Sequence, residues 1–511
     1  MTRSSSTSSS GLQFTHPYLA VVLGGGFTGM LAAAALSGYA DVIVVERERL
    51  PRTPALPSDL PQARHAHLLA AEGARRIEAL VPGSIEGWLA EGARRVPVPD
   101  GLSVRSPLGR AGRRRSPYLV ACSRDLLDRV TRRQVAALPG VSVLDGTEAE
   151  ELTGTAEHIT GVRVRDTTSG HAYRLDADLV VDATGRHTTT QSRLRALGLP
   201  SACEDLADSG IVSATRIFRT PGEARNTPVL TSRSADTAPL PGSGGAAVRP
   251  VPGRTATLVP IEGGRWLVTL TGAGDDRPTE HAGRFVAFAR RTGDATIADL
   301  IAGAEPLSEV RLSRDAVNLR RRFAQLPCWP TGFLALGGAV VSLSPDFGQG
   351  LSIAAHGAAA LREAVRRHGM DDPALARRVQ RALGSLVQEP WALATGGSTG
   401  SPAGRTTVCG AYADVVASSP GTAPFLHRPA ALGLLRGRMD RIRPEPDGPD
   451  REVSSLPVPP APAPRSPAAA GASPALSAPP DSSRRPPRPR GFGPTSLRRI
   501  GGANRRKPDD D

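Results

Sequence analysis

Residues 18–30 read YLAVVLGGGFTGM, and this stretch decides the fold. Tyr18 to Leu23 is a short run rich in Val and Leu that closes on glycines, the pattern of a buried parallel strand. Met30 to Ser37 follows as an Ala/Leu helix, and Asp41 to Val45 is a second apolar strand ending at Glu46. Strand, glycine turn, helix and strand begin a βαβ unit. Gly24, Gly26 and Gly29 fit GxGxxG, with Phe27 and Thr28 inside the motif. The first glycine permits the tight turn, the second leaves room for a pyrophosphate, and the third lets helix and strand pack closely. The N–H groups and dipole of the helix start then face the phosphates. The Glu46 carboxylate, with Arg47 beside it, stands where ribose hydroxyls are held. The reading is a dinucleotide site. Its N-terminal position in a long chain, with no second GxGxxG, leans towards FAD, while NAD stays open on this motif alone.

Outward from this unit, Pro61 to Pro82 holds an amphipathic helix with Leu68, Leu69, Ile77, Leu80 and Val81 as its apolar positions. Ser123 is a candidate N-cap for a helix over Asp125 to Ala137. Val141 to Leu144, Ile159 to Arg165 and Asp178 to Val181 read as strands, the last closed by Asp182-Ala183-Thr184-Gly185. Between about 205 and 325 the period changes. Ile211 to Phe218, Thr255 to Ile261 and Trp266 to Thr271 alternate like half-buried strands, with Gly263-Gly264 as a hairpin turn. Trp266, Val268 and Leu270 share one face; Leu267, Thr269 and Thr271 share the other. Phe333 to Leu336 is a return strand, Leu351 to His368 a helix, and Pro373 to Val387 a second helix with Asp372 as N-cap.

The bulk numbers exclude several classes. Net charge is +14 over 511 residues, but 62 of the 63 basic residues are arginine, a skew that resembles coding bias more than a nucleic-acid surface. Residues 451–511 hold 11 basic and 5 acidic residues, so +6 of the charge sits in a Pro/Arg-rich tail. Few aromatics are available to stack bases. Cys122, Cys203, Cys328 and Cys409 form no CxxC pair and read as thiols of a reducing cytoplasm. No stretch approaches the roughly 20 apolar residues of a membrane span. His65 and His67 lack the further ligands a metal needs, and Arg113-Arg114-Arg115 reads as a solvated loop.

Three further segments carry a resemblance. They are Pro61-Gln62-Ala63-Arg64-His65-Ala66-His67, the stretch Asp178 to Arg186, and Leu336-Gly337-Gly338-Ala339-Val340 continuing through Ser344-Pro345-Asp346-Phe347-Gly348-Gln349-Gly350. With the N-terminal fingerprint, the chain resembles the FAD-dependent monooxygenases of the p-hydroxybenzoate hydroxylase fold. Within them it looks most like the flavin epoxidases of polyether-antibiotic pathways, of the lasalocid and monensin type. Ala121-Cys122-Ser123-Arg124, Asp208-Ser209-Gly210 and Pro260 to Trp266 support the closer likeness. The resemblance covers about residues 18–435.

It implies an α/β architecture: a Rossmann-like FAD-binding domain (18–204 and 326–395) with an interleaved antiparallel-sheet substrate domain (205–325). A leader (1–17), a helical segment (396–443) and a disordered Pro/Arg-rich tail (444–511) complete the chain. Gly24, Gly26 and Gly29 would hold the pyrophosphate and Glu46 the adenosine ribose. Arg124 would reach the phosphates or ribityl chain, and Asp182 to Gly185 would lie near the adenine. Arg64 would lie near the flavin, and Gly337 and Gly338 would meet its chain. Pro345, Gly348 and Gly350 would set backbone N–H groups beside the ring, at a helix start that stabilises negative charge. One departure stands out. The family has Gly-Asp where this chain has Gly337-Gly338, so FAD is expected to bind more weakly, and Gly338→Asp to tighten it.

The chemistry implied is oxygen transfer from a flavin hydroperoxide to an alkene, with dioxygen as co-substrate. NADPH, NADH or a separate flavin reductase would supply electrons. The substrate would be a small hydrophobic molecule, the location cytoplasmic, and no catalytic triad or metal is needed. The competing readings are a flavin-dependent reductase or dehydrogenase, and a decayed non-catalytic protein of the same fold. A flavin halogenase is disfavoured, because no WxWxIP segment occurs.

Overall fold

The computed structural model describes residues 15–50, 68–97, 118–224, 227–234, 236–239, 248–251, 253–314, 317–344 and 349–395. The expected helical segment 396–443 and the tail lie outside them. Leu19–Leu23 forms the first strand, Phe27–Leu36 the helix and Asp41–Glu46 the second strand. The helix is buried almost all round, which its alanine run permits and which demands cover on both sides.

Five parallel strands make the central sheet, in the order Phe333–Ala335, Leu179–Asp182, Leu19–Leu23, Asp41–Glu46, Val141–Asp145. Alternation along the first strand sends Ala20 and Val22 to a helical layer and Val21 and Leu23 to a β-layer. The helical layer holds Phe27–Leu36, Arg124–Ala136 and Gly350–His368. The β-layer is the antiparallel meander Thr147–Gly154, Ile159–Asp166, Ala172–Asp176. Register places Leu23 opposite both Val45 and Asp182, and Asp182 opposite Ala335. The turns after these strands therefore leave the sheet at one edge, its carboxyl end, where open α/β sheets take ligands.

A second sheet, wholly antiparallel, runs Leu230–Arg233, Thr255–Ile261, Arg265–Ala273, Ile211–Arg219, Arg311–Ser313. Gly263 and Gly264, with φ of 70° and 64°, take the left-handed conformation in the three-residue loop between the paired Ile261 and Arg265. Trp266, Val268 and Leu270 pack under the helices Ala282–Arg290 and Thr296–Ala302. Leu267, with Val259 and Ile261, packs instead on a three-stranded sheet of Leu68–Ala70, Tyr118–Ala121 and Arg94–Pro97. That same face carries a cross-strand row, Thr231–Thr257–Thr269–Thr215. The ends of the insertion return as Glu204–Asp208 and Val317–Arg321, which pair with each other, and Val317–Arg321 also pairs with Val341–Ser342.

Two expectations are corrected. Leu68 and Leu69 lie not on the helix but on a strand paired with Ala121 and Val120, and the helix is Ala71–Leu80. Their apolar side chains suit either period, and the non-local partner decides. Asp372 does not cap a helix starting at Pro373. It accepts from Ala374 N–H at 2.9 Å in a turn, and the helix is Leu375–Leu386.

Candidate functional site

The three glycines of the fingerprint differ in what surrounds them. At Gly24, φ is 98° and a β-carbon would lie 2.8 Å from the Ala183 carbonyl oxygen. At Gly29 a β-carbon would overlap the Gly24 carbonyl oxygen. Around Gly26 none of the described residues lies within 4 Å of where a β-carbon would be. The outer glycines are therefore demanded by packing, whereas the middle one opens onto free space. Gly26 is also the N-cap of Phe27–Leu36, whose first turn has no acidic residue and no capping side chain. Its first N–H groups are left for an anion, so the residues present fit the pyrophosphate of a dinucleotide.

Glu46 stands beside this cradle. Its Oε2 accepts from Gly25 N–H at 2.7 Å and its Oε1 from Glu48 N–H at 2.9 Å, so the carboxylate fixes the turn as well as facing its rim. Arg47 is exposed, 3.7 Å from Glu48. Arg132 approaches the Gly25 carbonyl from the other side, Nε to O 3.4 Å, a contact sequence reading did not anticipate.

The later segments close on the first. A β-carbon at Gly337, where φ is 57°, would come 2.5 Å from Thr28 Oγ1. One at Gly338 would come 3.1 Å from Gly185 Cα and 3.2 Å from Arg186 N. The turns at 24–29, 183–186 and 337–339 thus touch, and each junction has a glycine where a side chain would intrude. Asp182 is fully buried, and its carboxylate is used within its own loop. It accepts from Thr184 N–H at 2.8 Å, from Thr184 Oγ1 at 2.6 Å, and from the hydroxyls of Thr188 and Thr190. It thereby sets the path of the chain into Gly185, whose φ is 87°.

Arg321 locks two of these turns together. Its buried guanidinium donates to Ala339 O at 3.1 Å, Arg186 O at 3.0 Å and Glu204 Oε1 at 2.9 Å. Its neighbours Arg320 and Arg322 both turn to Asp205. Nothing in the Arg320-Arg321-Arg322 run singles out the middle one, except that it alternates to the opposite side of a strand.

Arg124 opens the helix Arg124–Ala136. Ser123 is its N-cap, as expected, accepting from Leu126 N–H at 3.1 Å. The Arg124 guanidinium lies 5.1 Å from the centre of the Phe27 ring, and its Nε donates to Asp128 at 2.8 Å. It is thereby placed against the first residue after Gly26. Gly350 begins the helix Gly350–His368, whose first turn carries no acidic residue. Arg64, His65, His67, Pro345, Asp346 and Gly348 lie outside the described residues, as do Arg113-Arg114-Arg115. Among the described residues no cluster of three metal-binding side chains occurs. Cys122 is buried, and burial pushes its thiol well above the usual range, so it is no nucleophile. No described helix is long and apolar enough to cross a membrane.

A parallel sheet whose carboxyl edge gathers the glycine fingerprint, the Glu46 carboxylate and two further glycine turns has the form of a dinucleotide-binding fold. Comparison with known proteins agrees. Residues 18–204 match the FAD-binding domain family. The chain is 30% identical over 387 residues to Protein Rv3254 of Mycobacterium tuberculosis, covering 73% of this chain and 78% of that one. It is 32% identical over 217 residues to kynurenine 3-monooxygenase of Salinispora arenicola, covering 40% of this chain and 44% of that one. Among solved structures, PqsL of Pseudomonas aeruginosa in complex with 2-aminobenzoylacetate superposes with a TM-score of 0.52 at 20% identity, over 78% of this chain and 99% of that one. The flavin-dependent brominase Bmp2 superposes with a TM-score of 0.51 at 16% identity, over 84% of this chain and all of that one. At such identities these two speak for the fold alone. The chain belongs to the same family as the mycobacterial protein, and its residues 18–204 carry an FAD-binding domain.

Proposed function

We propose that this protein is an FAD-dependent monooxygenase that epoxidises an alkene in a largely hydrophobic, polyketide-like small molecule. One observation carries the cofactor part: Gly26 is the fingerprint glycine that opens onto free space, at a helix start with no competing cap. The epoxidase part is supported by the likeness of segments 121–124, 208–210 and 260–266 to polyether-pathway epoxidases. When bound and reduced, FAD supplies the activation of dioxygen, and NADPH, NADH or a flavin reductase supplies the electrons.

The chain's own residues then have four tasks. Gly24, Gly26 and Gly29 admit the pyrophosphate to the backbone, and Arg124 adds a positive charge beside Phe27. Glu46 holds the turn and offers its carboxylate to the ribose. The start of Gly350–His368 presents the positive end of a helix dipole to the ring end. The antiparallel sheet roofs the site and excludes water, which otherwise diverts the oxygen. Its roof face is the one bearing Leu267, because Trp266, Val268 and Leu270 are occupied by helices. Beyond Leu267 this face carries the threonine row, in which Thr215, Thr231 and Thr269 are buried and Thr257 is partly exposed, so Thr257 is the hydroxyl of the row that a substrate under the roof would meet.

The test is a visible spectrum of the purified protein with FAD, then NADPH or NADH under isotopically labelled dioxygen with candidate polyenes. Label in an epoxide product is expected. Flavin reduction with reduced product but no label would replace this reading by a reductase. Failure to take up FAD at all would end the cofactor assignment.

A further inference from the structure

Two segments noted in the sequence for other reasons, Ala121 to Arg124 and Pro260 to Trp266, meet in the structure through one carboxylate. Glu262 sits at the tip of the central hairpin of the antiparallel sheet. Its Oε2 accepts from Ser123 N–H at 2.9 Å and its Oε1 from Ser123 Oγ at 2.5 Å. Ser123 is thus used three times, since its hydroxyl also caps the Arg124–Ala136 helix. The hairpin is built to deliver this group. Gly263 and Gly264 form the left-handed turn, and Arg265 braces Glu262 through Nε to its carbonyl at 3.0 Å and Nη2 to Oε1 at 3.2 Å. Gly92, where φ is 103°, makes room, because a β-carbon there would lie 2.9 Å from Glu262 Cβ.

The next residue along is Arg124, whose guanidinium lies against Phe27 at the mouth of the phosphate cradle. A contiguous path of Glu262, Ser123, Arg124 and Phe27 therefore runs from the sheet of the substrate domain to the cofactor site. A carboxylate on the N–H and hydroxyl of a helix N-cap is held by charge-assisted bonds, close to the positive end of the helix dipole. Its loss frees the backbone that aims Arg124.

We propose that Glu262 is a positioning residue that holds Arg124 at the phosphate cradle, so that seating of the 262–265 hairpin and binding of FAD strengthen one another. This rests on the reading of residues 24–29 as the FAD site. If the hairpin grips more firmly when the phosphates are in place, the roof closes over a loaded cofactor rather than an empty cradle.

The experiment is an FAD titration of the full-length chain, followed by quenching of flavin fluorescence, on the wild type, Glu262→Ala, Arg124→Ala and the double variant, with Glu262→Gln and Ser123→Ala alongside. Thermal melts of the FAD-free proteins report folding separately. Expected are about ten-fold weaker binding for Glu262→Ala and at least that for Arg124→Ala, about 1.4 kcal/mol per ten-fold. In the double variant, Glu262→Ala should add less than about three-fold, since a shared path makes the two losses non-additive. Glu262→Gln, which keeps an acceptor for Ser123 N–H, should stay within about three-fold of wild type, and Ser123→Ala should fall between. A hairpin contact serving stability alone would lower the melting temperature and leave the losses additive or absent, which overturns the proposal. Unchanged affinity in Arg124→Ala also overturns it while leaving the FAD site standing. A wild type that binds no FAD removes the cofactor reading on which it rests.

Discussion

His356 Nε2 stands 3.6 Å from Glu72 Oε1, across the crossing of the helices Gly350–His368 and Ala71–Leu80. This is too far for a hydrogen bond. His356 Nε2 and Glu72 Oε2 are both buried without a partner among the described residues. Burial, and then the Arg76 guanidinium, push the imidazole down to about 4. Burial pushes the Glu72 carboxyl up, against the pull of Arg76 and Arg75. Burial thus shifts both groups towards their neutral forms, at a contact one helical turn from Ser352, on which Gly73 packs.

The pH dependence follows with a definite sign. Between about 6.5 and about 4, an unfolded chain takes up a proton that folded His356 refuses. Stability therefore falls as pH drops through this window, by at most about 3 kcal/mol. Glu72 acts oppositely: its folded form keeps a proton longer than the unfolded one, so its contribution is present at low pH and lost as pH rises through the folded value. His356→Gln should remove the first effect. Urea melts should place it within about 1 kcal/mol of wild type at pH 7.5 and above wild type at pH 4.5. Parallel stability curves for the two proteins across this range would contradict the account.

Gly26 and Gly29 should respond in opposite ways to an added side chain. At Gly29 a methyl group would overlap the Gly24 carbonyl, so Gly29→Ala should cost several kcal/mol and give little folded protein. At Gly26 the space is free and φ is −74°, an ordinary value, so Gly26→Val should fold with a melting temperature within a few degrees of wild type. Its side chain would occupy the phosphate approach, and FAD affinity should drop by about 100-fold or more. Equal FAD affinity in Gly26→Val and wild type would mean that the cradle holds something else.

Much of this was legible because the fingerprint is local. A strand, a turn with fixed glycine spacing and a helix need no distant partner to be recognised, and the hairpin around Gly263-Gly264 is likewise written in adjacent residues. What stayed hidden depends on distant contacts. Thr147–Gly154 forms a strand although only Thr147 and Leu152 along it are buried, and its glutamates are matched by arginines of the next strand, as Glu150 is by Arg165. No apolar alternation announces it. Leu68 and Leu69 join the strand Tyr118–Ala121, some 50 residues on. Arg321 and Glu262 look like any surface charge until folding brings carbonyls or a helix start to them. Both faces of Arg265–Ala273 were separable by alternation, but the helices that cover Trp266 decide which one is free to be a roof.

Gly338 departs from the family's aspartate, and its surroundings refine what restoring that residue should do. A β-carbon there would sit 3.1 to 3.3 Å from the Gly185 and Arg186 backbone, so the neighbouring turn must yield by a few tenths of an ångström. Among the described residues it has room to do so, since none lies within 4 Å of where a Gly185 β-carbon would be. Gly338→Asp should therefore fold at a cost of about 1 kcal/mol or less and tighten FAD about ten-fold, the worth of a charge-assisted hydrogen bond. Isothermal titration and a thermal melt measure the two effects independently. Unchanged or weaker FAD binding in a folded variant would mean that the position serves close packing of the two turns and has no place for a cofactor hydroxyl.

The threonine row offers the sharpest test of the roof's chemistry. Thr215 Oγ1 and Thr269 Oγ1 lie 2.8 Å apart, both buried, on directly paired strands. Removing one hydroxyl takes a buried partner from the other, at a cost of about 1–3 kcal/mol, whereas replacing both with valine keeps shape and removes the demand of this pair. Thr215→Val and Thr269→Val should each destabilise, and the double variant should recover at least half of the summed loss. Val268→Thr, on the helix-covered face, has no such partner and should destabilise on its own account. If the two valine variants prove additive, each hydroxyl has its own independent partner, and the row is a set of separate anchors.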